Sequence, residues 1–262
     1  ARARKYAASA FDSTVPPGAG LASSAALEVA VLRALRDAFG LALDDLTLAQ
    51  VGREAESGFV GARVGIMDQM ACVLAAPRHA LFLDTRDLGH ERVALPAGLA
   101  VLVIDSGVRH RHADGGYNAR REECERACAL LGVRALRDIT PADGPRVAAL
   151  PEPLGGRVRH VVTENARVLA AVAALRAGDA ARLGELLRAS HASLRDDFAV
   201  SVPPLDRLVE AACAEPGVVG ARLTGGGFGG AVVAVVAGGD ARAVAARVAA
   251  RAGPGAVALV PV

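Results

Sequence analysis

A mixed fold of helices and strands, punctuated by glycine-rich turns, is what this sequence predicts, and three observations predict it. Apolar residues recur at helical spacing over several long stretches, the first being 23–39. Apolar runs of strand length stand at 79–87, 99–105 and 231–236, the last reading Ala231-Val232-Val233-Ala234-Val235-Val236. Two glycine-rich segments, one opening at Pro16-Pro17-Gly18 and one at Gly225-Gly226-Gly227, each feed a regular element. A chain of 262 residues can bury a substantial core as one large or two small domains.

Composition narrows the function classes. The chain is 52% hydrophobic and 22% charged, which describes an ordinary globular protein rather than a disordered or fibrous one. A net charge of +2 and an aromatic content of 3% give neither the field nor the stacking platforms of a nucleic-acid or anionic-lipid surface. Lys5 is the sole lysine among 30 basic residues, a bias that reads as codon usage rather than an arginine-rich binding face. No apolar run is long enough to span a bilayer and no signal-peptide pattern is present, so neither a membrane nor nucleic acid is expected as a partner. Cys72, Cys124, Cys128 and Cys213 lie in apolar or helical contexts with no Cys or His pair to complete a metal site. Buried, reduced thiols in a cytoplasmic protein are the expectation.

In chain order, a basic opening gives way to a short strand at 11–15, which runs into Pro16-Pro17-Gly18-Ala19-Gly20-Leu21-Ala22-Ser23-Ser24. Helix 23–39 follows, with apolar positions at Leu27, Val31 and Leu35 and Gly40 as its left-handed stop. A glycine-rich turn before a helix N-terminus leaves backbone N–H groups unpaired at the positive end of the helix dipole, where an anion, most often phosphate, is at home. Ser23 and Ser24 stand where hydroxyls cap the helix, touch a phosphate oxygen or ligate a hard cation. The competing reading is a plain proline-glycine turn with a serine N-cap. The stretch has neither a Gly-Lys-Ser/Thr ending nor the spacing G-x-G-x-x-G.

A second amphipathic helix is expected over 44–57, with Glu54 and Glu56 at its end, where the dipole disfavours carboxylates. The glycine-punctuated stretch 58–69 leads into a helix over 70–76. Asp68 stands there among Ile66, Met67, Met70 and Ala71, and a lone carboxylate in apolar surroundings must be paired, cap a helix or face a cleft as an acid or base. After the two buried strands, Gly115-Gly116-Tyr117-Asn118-Ala119-Arg120-Arg121 enters a charged helix; Tyr117 reads there as a turn tyrosine or a ligand contact. A Pro/Gly-rich connector spans 132–157, and helices follow at 159–177, 179–191 and 204–215. His160 and His191 have no Ser, Cys or metal partner at useful spacing, so structural hydrogen bonds are expected of them. Thr224-Gly225-Gly226-Gly227-Phe228-Gly229-Gly230 before a core strand is either a flexible hairpin or a second backbone anion site. Helix and a final strand at 256–262 close the chain.

Read without any relative, two glycine-rich anion sites and one isolated acid suggest phosphoryl transfer to a small alcohol. The motifs also resemble those of the GHMP small-molecule kinases, and their wording is closest to the galactokinases. Pro17-Gly18-Ala19-Gly20-Leu21-Ala22-Ser23-Ser24-Ala25 resembles the family's ATP-phosphate loop, with Ala22 where the galactokinases have serine. Gly65-Ile66-Met67-Asp68-Gln69 resembles the segment carrying the family's base, and Thr224-Gly225-Gly226-Gly227-Phe228-Gly229-Gly230 its third motif. The resemblance implies an α+β, two-domain GHMP kinase fold with an incomplete amino-terminal domain at 1–105 and a carboxy-terminal domain at 106–262. It further implies ATP and Mg²⁺ as cofactors, phosphorylation of galactose to galactose 1-phosphate, and a monomer. By the same resemblance Asp68 would be the base, residues 17–24 would hold ATP, and Ser24 and Glu56 would hold Mg²⁺. Gly65, Asp68 and Tyr117 would meet the sugar, with Thr224, Gly225, Gly226 and Gly227 close to the phosphates. The family's amino-terminal sugar-binding motif has no counterpart, so an inactive fragment with an unpaired sheet edge is a further expectation. Two alternatives stand beside this reading: a kinase of another small sugar, and a non-catalytic sensor of ATP and sugar.

Overall fold

The computed structural model describes residues 10–61, 64–108, 113–238, 240–252 and 257–259. The basic opening residues, Arg109 and His110, and the flanks of the final expected strand lie outside these. Helix α1 (Ser23–Phe39), α2 (Asp45–Glu54), a π-helical turn (Ala55–Val60) and α3 (Met67–Leu74) come first. Strands β1 (His79–Leu83), β2 (His90–Ala94) and β3 (Leu99–Asp105) follow, then α4 (Ala113–Leu131). Short turns and α5 (Gly144–Ala148) lead to α6 (Leu154–Ala177), α7 (Ala180–Asp196) and α8 (Pro203–Cys213). The chain ends in β4 (Val218–Thr224), β5 (Ala231–Ala237), α9 (Ala241–Ala252) and β6 (Val257–Leu259). No helix among the described residues is long and apolar enough to cross a membrane.

Strands β4, β5, β3 and β6 form one antiparallel sheet in that spatial order, while β1 and β2 pair as a separate ribbon. The all-apolar sequence of β5 follows from cover on both of its faces, because successive side chains point to opposite sides. Val232, Ala234 and Val236 join Leu205, Leu208 and Val248 of α8 and α9 in one cluster. Val235 instead meets Leu183 of α7 and Ala174 of α6. A third cluster gathers Val29, Leu48, Met70 and Val73 from α1, α2 and α3. Each fully buried Val, Leu or Met side chain among these contributes about 1.5–3 kcal/mol.

Several expectations are corrected. The stretch 11–15 forms no strand; Phe11 is exposed, and the Val15 N–H turns back to Ser13 Oγ at 3.1 Å. Helix α1 buries Ala25 and Val29, with Leu32 packed behind them, whereas Leu27 and Leu35 stay exposed. Its apolar residues cover more than one face, so spacing alone could not select the buried row. The N-cap is Ala22, not a serine, and its backbone is left-handed with φ 55° and no side-chain cap. The expected helix 44–57 stops at Glu54 and widens into the π-turn, and the helix expected from Met70 starts at Met67. The strand read as 79–87 ends at Leu83, and β2 and β4 were not expected at all. The four cysteines are half-buried and unpaired, with burial pushing each thiol pKa up.

The two histidines serve as internal ties. Ser193 Oγ donates to Asp197 Oδ2 at 2.9 Å and so receives the His160 Nδ1 proton at 3.0 Å. Burial pushes His160 down to about 4, and its ring stacks on Phe198 at 4.3 Å. His191 Nδ1 faces the Leu223 N–H at 3.4 Å, and its Nε2 lies 3.2 Å from Asp206 Oδ1 in poor alignment. Helix α7 lies directly on β4, which only glycine permits at the crossing. A Cβ on Gly220 would sit 2.7 Å from the Gly184 carbonyl oxygen, and one on Gly184 would overlap the Val219 carbonyl. Gly184→Ala is therefore expected to lower stability by about 1–3 kcal/mol in a denaturant titration, and an unchanged midpoint would refute this account of the crossing.

Candidate active site

Two glycine loops meet backbone to backbone. Gly18, Gly20 and Ala22 all have positive φ, at 70°, 71° and 55°, so the first loop coils tightly before α1 begins. Such a coil can turn successive N–H groups toward one anion. A non-glycine residue held left-handed costs of order 1–3 kcal/mol and is a mark of functional loops, so Ala22 occupies a position where glycine would be relaxed. The second loop joins β4 to β5. A Cβ on Gly225 would lie 2.9 Å from the Gly20 carbonyl oxygen, so glycine is required where the loops touch.

That second loop is no flexible hairpin. The Phe228 N–H donates to Val200 O at 2.7 Å, and the Gly230 N–H donates to Val108 O at 3.0 Å. Ser106 holds Gly230 O through both its N–H at 2.9 Å and its hydroxyl at 2.5 Å. Gly225 and Gly226 form an exposed crown above these anchors. Tyr117, in the first turns of α4, stands beside that crown, since a Cβ on Gly226 would meet its Cδ2 at 3.4 Å. Of the Gly115-Gly116 pair before Tyr117, Gly116 has a steric reason, while a Cβ on Gly115 would meet nothing. The Phe228 ring lies where a Gly116 side chain would start, 2.8 Å from the would-be Cβ.

The acidic side of the site is built from α1, the π-turn and α3. Ser24 Oγ donates to Glu56 Oε1 at 2.7 Å, across 32 residues of sequence. The π-turn is what carries Glu56 off the end of α2; such wide turns recur at functional sites. Gln69, fully buried, donates through Nε2 to Glu56 Oε2 at 2.7 Å and to Glu28 Oε2 at 3.1 Å. Its Oε1 has no protein partner among the described residues, a state that costs about 1–3 kcal/mol. Turning the amide over would set that oxygen against two carboxylates, so the chemistry fixes the orientation. Burial raises the Glu28 pKa and the Glu56 charge adds to it.

Asp68 does not cap α3; the N-cap is Ile66, and Asp68 sits in the first turn. Its carboxylate is open to solvent, yet the protein packed around it raises its pKa, with the Glu56 charge acting in the same sense. Gly65 lies exposed just before α3 with open space around its Cα. Among the described residues no three His, Cys, Asp or Glu side chains converge into a metal cage. One carboxylate and one hydroxyl still suit Mg²⁺ bound mainly through nucleotide phosphates and water. Glu28, Gln69 and Phe228 were given no role from the sequence, and only the neighbourhood of Gln69 to Asp68 could have drawn notice to it.

Residues 3–76 match the model of the GHMP kinases N terminal domain and residues 171–255 that of the GHMP kinases C terminal. A galactokinase of Streptomyces coelicolor is 49% identical over 233 residues, covering 86% of this chain and 59% of its own length. One from Chloroflexus aurantiacus is 50% identical, covering 87% and 60%. The chain thus spans about 60% of the length of these curated relatives. Among solved structures, Lactococcus lactis galactokinase complexed with galactose aligns with a TM-score of 0.88 at 34% identity, over 94% of this chain and 66% of that one. The L. major mevalonate kinase in complex with R-mevalonate aligns at 0.62 with 23% identity, a likeness of fold, over 91% and 64%.

A carboxyl whose pKa is raised on folding weakens the folded state as pH climbs from its unfolded value through its folded one. Asp68→Asn is therefore expected to raise the melting temperature at about pH 7 and to leave it unchanged near pH 3. An Asp68→Asn shift of equal size at both would show that Asp68 carries no raised pKa.

Proposed function

The chain belongs to the GHMP kinases, and from that premise we propose that it is the core of a galactokinase, transferring the γ-phosphoryl group of ATP to the anomeric hydroxyl of galactose. The observation that carries the proposal is the convergence of the two glycine loops, with the Ser24–Glu56 pair at the helix end of the first. ATP is the phosphate donor that fits this cradle, held along residues 17–24, its phosphates taken by the backbone N–H groups that follow Pro17 at the positive end of α1. Ser24 and Glu56 would hold Mg²⁺, which when bound neutralises charge on the transferring group. Thr224, Gly225, Gly226 and Gly227 face the same phosphates from the other side.

Asp68 is the base of this reading. It takes the proton of the sugar hydroxyl as that oxygen bonds to the γ-phosphorus and the bond to the ADP oxygen breaks. Its raised pKa suits a group that must accept a proton without holding it too weakly. Tyr117 and Gly65 border the space where the sugar would sit. The galactokinase names of its relatives and the galactose in the L. lactis structure support this sugar over others. The chain is proposed to work as a monomer in the cytoplasm, where its four unpaired thiols stay reduced.

The test is ADP release by the folded chain with MgATP, in the presence and absence of galactose. Galactose-dependent release, lowered about 10²–10⁴-fold by Asp68→Asn with nucleotide binding retained, is the expected result. Turnover of Asp68→Asn near wild type would remove Asp68 from the chemistry. Nucleotide binding without galactose-dependent turnover would leave a sensor or an inactive fragment, and the same assay on a chain extended to the relatives' full length would separate the two.

A further inference from the structure

Gln69 is buried and unusually committed. Both protons of its amide are used, one on Glu56 Oε2 at 2.7 Å and one on Glu28 Oε2 at 3.1 Å. Its side chain has little freedom to leave, because Gly52 packs against it: a Cβ there would come within 3.3 Å of Gln69 Cγ and 3.5 Å of Glu28 Oε2. Among the described residues the Gln69 Oε1 atom has no protein donor, so the amide's contacts there are with the two carboxylates. Glu56 consequently offers its two oxygens unequally. Oε2 is occupied from inside the protein, while Oε1 faces Ser24 Oγ at 2.7 Å.

That inequality has a consequence for the cation. Ca²⁺ takes about 6–8 oxygens at roughly 2.3–2.6 Å and commonly binds a carboxylate through both. Mg²⁺ keeps a near-ideal octahedron at about 2.0–2.1 Å, retains waters and accepts single oxygens from one or two carboxylates. A glutamate with one oxygen tied down suits the second ion and not the first. We propose that Gln69, by holding Glu56 Oε2, confines Glu56 to one-oxygen ligation and thereby sets the site's preference for a small octahedral cation over a larger one. Gln69 is a positioning residue in this account: it touches neither cation nor substrate and acts through Glu56. The inference rests on the reading of Ser24 and Glu56 as the cation's ligands, and the experiment separates the two.

The measurement is the affinity of the folded chain for a fluorescent ATP analogue in EDTA, in Mg²⁺ and in Ca²⁺. The quantity read is the ratio of the Ca²⁺ to the Mg²⁺ dissociation constants. A variant that merely loosened the fold would weaken both complexes together and leave that ratio alone. Gln69→Met keeps the length of the side chain and removes the donor; it is expected to bring the ratio down about tenfold, with affinity in EDTA unchanged. Gly52→Ala crowds Gln69 without deleting it and is expected to move the ratio the same way by about threefold, which keeps the test open should Gln69→Met fail to fold. An unchanged ratio in a folded variant of either kind overturns the inference. Glu56→Ala is the separate control. If Glu56→Ala leaves the Mg²⁺ enhancement of binding intact, the ligand reading itself fails; if the enhancement is lost and Gln69→Met keeps the wild-type ratio, only the role of Gln69 fails.

Discussion

The seat of one glycine loop on the other is the contact on which the rest of the site depends. Gly225 can approach the Gly20 carbonyl only because it has no side chain, and that approach joins the helical layer of α1–α3 to the sheet of β3–β6. Each loop is in turn fixed by its own support. The first runs into α1, whose Ala25 and Val29 are buried. The second is pinned at Val200, Val108 and Ser106 by backbone hydrogen bonds. A crown of two exposed glycines on a buried frame gives access to a ligand without the entropy cost of ordering a mobile loop.

Charge is arranged around this junction with the same division of labour. Backbone dipoles supply the positive potential at the start of α1, and no lysine is needed there. Glu28, Glu56 and Asp68 supply the negative side, and their mutual repulsion is part of what raises Glu28 and Asp68 above the usual carboxylate range. Gln69 holds two of these acids through one nitrogen. A buried amide committed to two carboxylates marks a place where position matters.

Much of this was legible in the sequence because the relevant signals are local. Helices α1, α6, α7 and α8 show themselves by spacing, and β3 and β5 by unbroken apolar runs. The loops at 16–24 and 224–230 carry their glycines in plain view. What could not be read depends on partners distant in sequence. In β2 only Val93 is buried, so His90–Ala94 looks like polar loop until β1 pairs with it. In β4 a bulge between Val218 and Gly220 breaks the alternation. The competing serine-cap reading gives way to a left-handed Ala22 at the N-cap, and Ser24 bonds a glutamate 32 residues away. The links from Gln69 to Glu28 and Glu56, across 41 and 13 residues, leave no trace in local pattern.

A crystal structure of the chain with Mg²⁺ and a non-hydrolysable ATP analogue tests the central claim most directly. The account predicts the analogue's phosphates between residues 17–24 and the Gly225–Gly226 crown, with the cation on Ser24 Oγ and a single oxygen of Glu56. Phosphates bound elsewhere, or a crown that stays clear of them, would contradict it.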